Sequence, residues 1–510
     1  MTKIVSLEEF ISLRERFREK ELKVIHCHGV FDLLHPGHII HLQQARNLGD
    51  ILVVSITAAP YVNKGPGRPY FSDELRMQSI AALECVDYVV LSEKETALEV
   101  LDYIQPDLYV KGSDYENADN DVTQNIGREI EKVRSYGGEI HFTGGQVFSS
   151  TRLLNSEFPV FSADAKDYLK DFTLHCSFND IQEYVEKMQS IKILVVGDII
   201  IDKYTFCTVQ GLSSKDRSLS ALYERTEEYL GGVLAIARHL ANFSNNVCLC
   251  TMLGTEPHIR SRMLDDLSNK MLLDLHSDPN YTTVIKTRYI ERRGIRDDYD
   301  KMFSINYIDS EKRANQIDRQ GFYEKLEKKI PDFDMVVLSD FGHGLIDQRV
   351  MDIVQDKAKF LALNCQTNSA NYGNNPISKY RRADTFSLDV RELKLAYGSR
   401  TQDTDAMLKM LAEHLNAKIG WLTLGSMGAV GIENDRLLRI PALTLDVQDT
   451  VGAGDAFFAL ASLCAATEVP LEIGNFLANT AGALAANILG NSEAIDRVRL
   501  LKYASTLLNC

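Results

Sequence analysis

A chain of 510 residues is too long for one ordinary hydrophobic core, so two or three domains are expected. Its hydrophobic fraction of 45% and charged fraction of 25% are those of a globular protein. The formal net charge of -15 argues against a nucleic-acid or anionic-membrane partner, either of which needs a basic face. Nucleotide binding stays open, because loops and helix N-termini hold phosphates even in acidic proteins.

The opening "MTKIVSLEEFISLRERF" has no apolar signal core and reads as a helix, with Ser6 and Glu9 at capping-box spacing. No stretch offers the roughly 18 apolar residues of a membrane span. From Leu22 to Leu154 short apolar runs alternate with helical patterns. "KVIHCHGVF", "DILVVSIT", "VDYVVL", "DLYVKG" and "EIHFTG" read as strands, with "HIIHLQQARNLG", "SDELRMQSIAALE" and "NIGREIEKVRSYG" as helices between them. That alternation implies a doubly wound parallel sheet, whose ligands sit at the carboxyl ends of the strands. A more polar stretch follows, and a second α/β series starts at "IKILVVGDIIID". The expected organisation is a domain over 1–155, a linker over 156–189 and a second domain over 190–510. Nine scattered cysteines with no CxxC pair suggest reduced, buried thiols in a cytoplasmic protein.

Two stretches carry chemistry. The first is "GVFDLLHPGH", Gly29 to His38, at the end of the first strand. His35 and His38 could share a metal, but zinc wants three or four ligands and no cysteine cluster supplies the others. Taken alone, the pair could equally be satisfied by local hydrogen bonds in a turn. The stretch resembles the GxFDxxHxGH signature of the cytidylyltransferase-like nucleotidyltransferases. "KGPGRP" (Lys64 to Pro69), "KGSDY" (Lys111 to Tyr115) and "FSSTRLL" (Phe148 to Leu154) follow in the order of that family's ADP-heptose synthase branch.

The resemblance implies transfer of a nucleotide from a nucleoside triphosphate to a phosphate oxygen, with pyrophosphate leaving. The nucleophile is already an anion, so the site must align the groups and stabilise developing charge rather than supply a base. His35 and His38 are the expected catalytic pair. Gly29, Phe31, Asp32, Lys64, Arg68, Lys111, Ser149, Ser150 and Thr151 are the expected nucleotide- and phosphate-binding residues. "TGGQVFSST" lacks the arginine that polyol-phosphate cytidylyltransferases carry before their last helix, so ATP is expected and CTP stays open.

The second stretch is "DTVGAGDAFFALAS", Asp449 to Ser462. Small residues ahead of a helix can aim successive N–H groups at one anion, and Asp455 stands beside that cradle to take a hydroxyl proton. The stretch resembles the DTxGAGD signature of ribokinase/PfkB-type sugar kinases. "VVGDIIIDKY", "YLGGVLAIARHLA", "VVLSDFGHG", "LDVRELKLA" and "LTLGSMG" follow that family's template in order.

The kinase resemblance implies Asp455 as catalytic base, with Thr423, Gly425, Gly428, Thr450, Gly452, Ala453 and Gly454 on the nucleotide. It also implies Asp198, Asp202, Gly231 and Gly232 on the sugar, and Glu392 as the carboxylate linked to Mg2+. The family's sugar-binding asparagine is replaced by Ala235, and its Asp-Pro-Lys strand end by "LNCQTNS".

Together the halves resemble the bifunctional heptose-phosphate kinase/ADP-heptose synthase family with the domain order reversed. The expected partners are a nucleoside triphosphate, a sugar phosphate and further copies of the chain, with ATP and Mg2+ as cofactors. Two other readings stay open. One is CTP-dependent synthesis of a CDP-sugar or CDP-polyol beside a non-heptose kinase. The other makes the C-terminal half a binding or dimerisation module.

Overall fold

The computed structural model describes residues 3–112, 125–144, 150–293, 298–308, 316–368, 371–398 and 403–509. They form two compact units: Met1–Ser162 together with Leu501–Cys510, and Ala163–Leu500. The stretch expected as a linker, 156–189, is thus divided between the units. Residues 501–510, expected in the C-terminal domain, belong to the first.

In the first unit, strands β1 (Val24–Gly29), β2 (Ile51–Thr57), β3 (Tyr88–Ser92), β4 (Leu108–Gly112) and β5 (Glu139–Thr143) are the five expected from the sequence. They pair in parallel in the order β3-β2-β1-β4-β5. The inner strands are largely apolar on both faces because helices cover both, whereas edge strand β5 alternates exposed Glu139 and His141 with partly buried residues. Ile25, Leu52, Val54 and Ile56 pack with Leu42 and Ala45 on one side. Val24, Val53 and Val90 pack with Phe10, Val100 and Leu101 on the other. Ser6 caps the first helix, Leu7–Glu19, and forms the expected capping box with Glu9. Strand order reverses between β1 and β4, which opens a crevice beyond their carboxyl ends. "GVFDLLHPGH" begins there.

The second unit opens with β6 (Lys192–Gly197), β7 (Ile199–Leu212), β8 (Leu219–Gly232), β9 (Asn246–Leu253), β10 (Leu272–Ser277), β11 (Val284–Arg293) and β12 (Asp298–Tyr307). It continues with β13 (Met335–Asp340), β14 (Leu361–Cys365), β15 (Thr385–Asp389), β16 (Ile419–Thr423), β17 (Ala429–Glu433) and β18 (Arg436–Ile440). The main sheet has the order β10-β9-β6-β13-β14-β15-β16-β17-β18. It is parallel as far as β16 and ends in the antiparallel pairs β16–β17 and β17–β18. A separate sheet, β12-β11-β7-β8, stands apart from it. The alternation of the second α/β series announced neither this small sheet nor the antiparallel edge.

Asp198 is the single residue between β6 and β7, where the chain leaves one sheet for the other. Helix Ala453–Ala466 is buried from Asp455 to Ala465, which explains its lack of an amphipathic pattern. Phe386, fully buried at the centre of β15, fills the space that Gly420 leaves on β16. Replacing Phe386 by alanine should lower the stability of this unit by about 3–5 kcal/mol. Calorimetry of the full chain would read that as an earlier unfolding transition.

Candidate functional sites

The first unit encloses a cavity of about 420 Å3 beyond β1, β2 and β4, lined among others by Gly29, Lys64, Lys111 and Thr151. His28 also faces it, although sequence reasoning gave it no role. Its Nδ1 shares a 2.7 Å hydrogen bond with Ser55 Oγ, and its Nε2 lies 3.3 Å from Thr57 Oγ1. Ser149 lies outside the described residues, and Ser150 is the first residue of helix Ser150–Glu157.

His35 caps helix Pro36–Arg46. The His35 and His38 rings stack with centroids 3.9 Å apart, and Phe31 meets His38 edge-on at 5.1 Å. Burial pushes His38 down to about 3, helped by the charges of His35 and Lys64. Burial and then Lys64 lower His35 as well. Both rings are therefore neutral near pH 7, and His38 also meets the backbone of Leu33 through a hydrogen bond. The positive charge comes from lysine.

Of the expected residues, Phe31, Asp32, His35, His38 and Arg68 are not among those lining the cavity. Asp32 Oδ1 accepts the backbone N–H groups of Tyr70 (2.8 Å) and Phe71 (3.1 Å). Its Oδ2 faces Arg68 Nη1 at 3.5 Å, with both side chains almost wholly buried. Arg68 Nη2 donates to Asn155 Oδ1 at 2.5 Å. The pair ties the loop after Lys64 to the turn after β1. Lys111 does line the cavity, and its ammonium pairs with Glu129 at 2.9 Å.

The second unit contains a larger cavity of about 850 Å3. Thr423, Gly425, Gly428, Thr450, Gly452, Ala453, Gly454, Asp455, Glu392, Asp202 and Gly232 all line it. Gly452 is the N-cap of helix Ala453–Ala466 with φ 86, a conformation that favours glycine, and a Cβ there would strike Asn491. At Gly454 a Cβ would meet nothing within 4 Å. The space beside Gly454 is thus open at the start of this helix, where an anion could approach the helix N-terminus from the cavity.

Asp455 sits in the first turn of that helix, and Gln366 Nε2 donates to its Oδ1 at 3.1 Å. Burial pushes its carboxyl up to about 7; Gln366 and Lys286 oppose that rise and Asp202 adds to it. Glu392 accepts the N–H groups of Thr367 (3.0 Å) and Asp389 (2.9 Å) and forms a capping box with Asp389. Burial first, then Asp389, raise its carboxyl to about 8. Asp449 holds Tyr204 Oη at 2.9 Å, Lys301 Nζ at 2.7 Å and the N–H groups of Val451 and Gly490. It braces the glycine turn.

On the sugar side the structure separates the two expected aspartates. Asp202, on β7, faces the cavity and pairs with Arg288. Asp198 is fully buried and outside the lining; its carboxylate accepts backbone N–H groups of Phe341 (3.2 Å) and Leu345 (3.1 Å) and so holds the turn after β13. Gly231 is also outside the lining and gives Asp202 room, since a Cβ would strike the carboxylate. Lys286, Arg288 and Gln366 line the cavity without having been foreseen. Their signal was slight: Lys286 and Arg288 share one face of β11 at a spacing of two. Among the described residues no group of three or more His, Cys, Asp or Glu side chains could hold a metal.

The CTP_transf_like (Cytidylyltransferase-like) family profile matches residues 26–156, and the pfkB family carbohydrate kinase profile matches residues 190–496. Curated relatives include a protein named Bifunctional protein HldE from Syntrophotalea carbinolica, 39% identical over 141 residues, which is 27% of either chain. One of the same name from Citrifermentans bemidjiense is 38% identical over 156 residues, 30% of this chain and 31% of that one. These matches fall in the N-terminal part, and the chain spans less than a third of those relatives' length. Among solved structures, phosphofructokinase-2 from Escherichia coli is 14% identical with a TM-score of 0.49, covering 62% of this chain and 99% of that one. Ribokinase from Thermotoga maritima is 14% identical with a TM-score of 0.47, at the same coverage.

The contact between Gly231 and Asp202 yields a direct test. Gly231→Ala should destabilise the second unit by about 1–3 kcal/mol, the usual range for an added methyl with no space. Thermal unfolding would read that loss, with unchanged melting counting against it.

Proposed function

Because the chain belongs to the pfkB family of carbohydrate kinases and carries a cytidylyltransferase-like domain ahead of that match, we propose that it makes a nucleotide-activated sugar in two steps. The second unit phosphorylates a heptose-like sugar or sugar phosphate with ATP. The first joins a nucleotide to the resulting sugar 1-phosphate and releases pyrophosphate. The observation that carries the proposal is Asp455, set at an open helix N-terminus in a cavity that also holds Lys286 and Glu392. Heptose and adenine are supported by the ADP-heptose-synthase-like motifs of the first unit.

In the kinase step the anomeric hydroxyl of the sugar gives its proton to Asp455 as its oxygen bonds to the γ-phosphorus, and the bond to ADP breaks. N–H groups at Gly452 to Gly454 receive charge on the transferred group. Glu392 suits a hard divalent cation: its carboxylate is held in the cavity by N–H groups, and burial together with the neighbouring Asp389 and Asp455 favours its neutral form, which a bound cation would reverse. Bound Mg2+ would neutralise phosphate charge. Gln366 in the cavity lining, within the stretch that replaces the template's Asp-Pro-Lys, and buried Ala235 in place of its asparagine mark departures from the template that are this chain's own.

In the transferase step an oxygen of the sugar phosphate attacks the α-phosphorus, and pyrophosphate leaves with the electron pair. Neutral His35 and His38 donate N–H groups at the start of their helix, and Lys64 and Lys111 supply charge. A cytoplasmic homo-oligomer belongs to the proposal. Large apolar side chains exposed on the small sheet, Leu222, Tyr223, Phe303 and Tyr307, support self-association. The eight described cysteines, all free thiols, support a reducing compartment. No helix among the described residues is long and apolar enough to cross a membrane.

His35→Ala or His38→Ala should remove most pyrophosphate release while ADP formation by the other unit persists. Near-normal release by a folded variant would count against the transferase assignment.

Asp455→Asn should slow phosphoryl transfer by about two to four orders of magnitude and leave ATP affinity nearly unchanged. The sign of the pH dependence follows from the raised carboxyl. Asp455 is protonated below about 7, so kinase kcat should fall as pH drops through that value and level off above it. A profile flat from pH 5 to 9 would contradict the role.

A further inference from the structure

The wall of the first cavity is completed from the far end of the sequence. Lys502, Ser505, Thr506 and Asn509 face the cavity, although Ala163–Leu500 intervene in the chain. Two separate contacts fasten this segment. Asn155 Nδ2 donates to the carbonyl oxygens of Thr506 (2.8 Å) and Asn509 (3.2 Å), while its Oδ1 accepts from Arg68. Tyr503 is buried with its ring against Gly65, at a φ of 93, where any Cβ would run into the ring.

The two contacts have one effect. Gly65 adjoins Lys64 and Tyr503 adjoins Lys502, so packing glycine against ring delivers both lysines to the same space. Lys111 enters it from β4, already paired with Glu129. The surroundings of Lys64 show the result. Burial lowers its ammonium, Arg68 and Lys502 lower it further, and Asp32 opposes them. Several ammonium groups around one space suit a polyanion whose oxygens can accept from more than one of them at once. A triphosphate supplies that anion.

We propose that Lys502, carried on the C-terminal segment 501–510, is a phosphate-binding residue of the nucleotidyl-transfer site and contacts the triphosphate together with Lys64. The inference rests on the transferase reading above and adds to it a residue outside the family match, which ends at residue 156.

The test uses the full chain and three variants: Lys502→Met, which keeps the stem and removes the charge, Lys502→Gln, and Lys502→Arg, which restores the charge. Pyrophosphate release is measured with ATP and CTP against a panel of sugar 1-phosphates. In Lys502→Met the KM for the nucleoside triphosphate should rise about ten- to hundred-fold, the usual worth of a hydrogen bond to a charged group. The kcat should change less, Lys502→Arg should recover most of the affinity, and the melting temperature should not move. Lys502→Gln replaces the methionine variant if that one melts early.

An unchanged KM in a folded, uncharged variant overturns the inference. If the wild-type chain releases no pyrophosphate with any pair, the transferase reading itself falls. Calorimetric titration with inorganic tripolyphosphate then decides Lys502 alone: weaker binding by Lys502→Met supports a phosphate site, and equal binding overturns it.

Discussion

A charge taken out of water must meet an opposite charge or a set of hydrogen bonds, and both cavities are organised by that constraint. In the second unit Asp198, Asp449 and Glu392 are each held by backbone N–H groups, and Asp202 is held by Arg288. Among the described residues Asp455 has only Gln366 as a hydrogen-bond donor at its Oδ1, and it sits highest above its ordinary range among the aspartates whose shift is clear. The carboxylate with the weakest support is the one assigned proton transfer. The first unit repeats the logic with cations: Arg68 and Lys111 are matched by Asp32 and Glu129, while Lys64 stays depressed by its surroundings.

Much of this was legible in the sequence because it is local. "GVFDLLHPGH" places two histidines on a strand-to-helix turn whatever the rest of the chain does. "DTVGAGD" sets a glycine turn, a helix start and a carboxylate within seven residues. The alternation of apolar runs gave all five strands of the first sheet. What escaped was whatever depends on pairing between distant segments. Lys286 and Arg288 reach the kinase cavity only because β11 lies beside β7, and no periodicity within β11 announces that neighbour. Gln366 lay in a stretch, "LNCQTNS", that only marked a departure from the kinase template until the fold set it against Asp455. Asp32, Arg68 and Asp198 have the residue types of ligand contacts, yet they brace loops, and only burial and partners separate those two uses.

The two proposed reactions share one chemical requirement met in two ways. Phosphoryl transfer needs a base because its nucleophile is a neutral hydroxyl. Nucleotidyl transfer needs none because its nucleophile is already charged. The cavities differ accordingly: one buries a carboxylate whose raised pKa suits it to exchange a proton near neutrality, the other is lined by the ammonium groups of Lys64, Lys111 and Lys502 and the neutral ring of His28. Neither arrangement would serve the other reaction.

The return of residues 501–510 to the first unit has a consequence for biosynthesis. Ribosomes add about 5–20 residues per second and domains generally fold as they emerge. The N-terminal sheet can therefore form early, but the cavity beside it lacks a wall until all of Ala163–Leu500 has been made, on the order of tens of seconds later at that speed. A nascent or prematurely terminated chain would carry every residue of the HxGH turn and still have an unfinished pocket. Synthesis of residues 501–510 becomes a structural condition for the first unit, set by topology rather than by any residue of its own sheet.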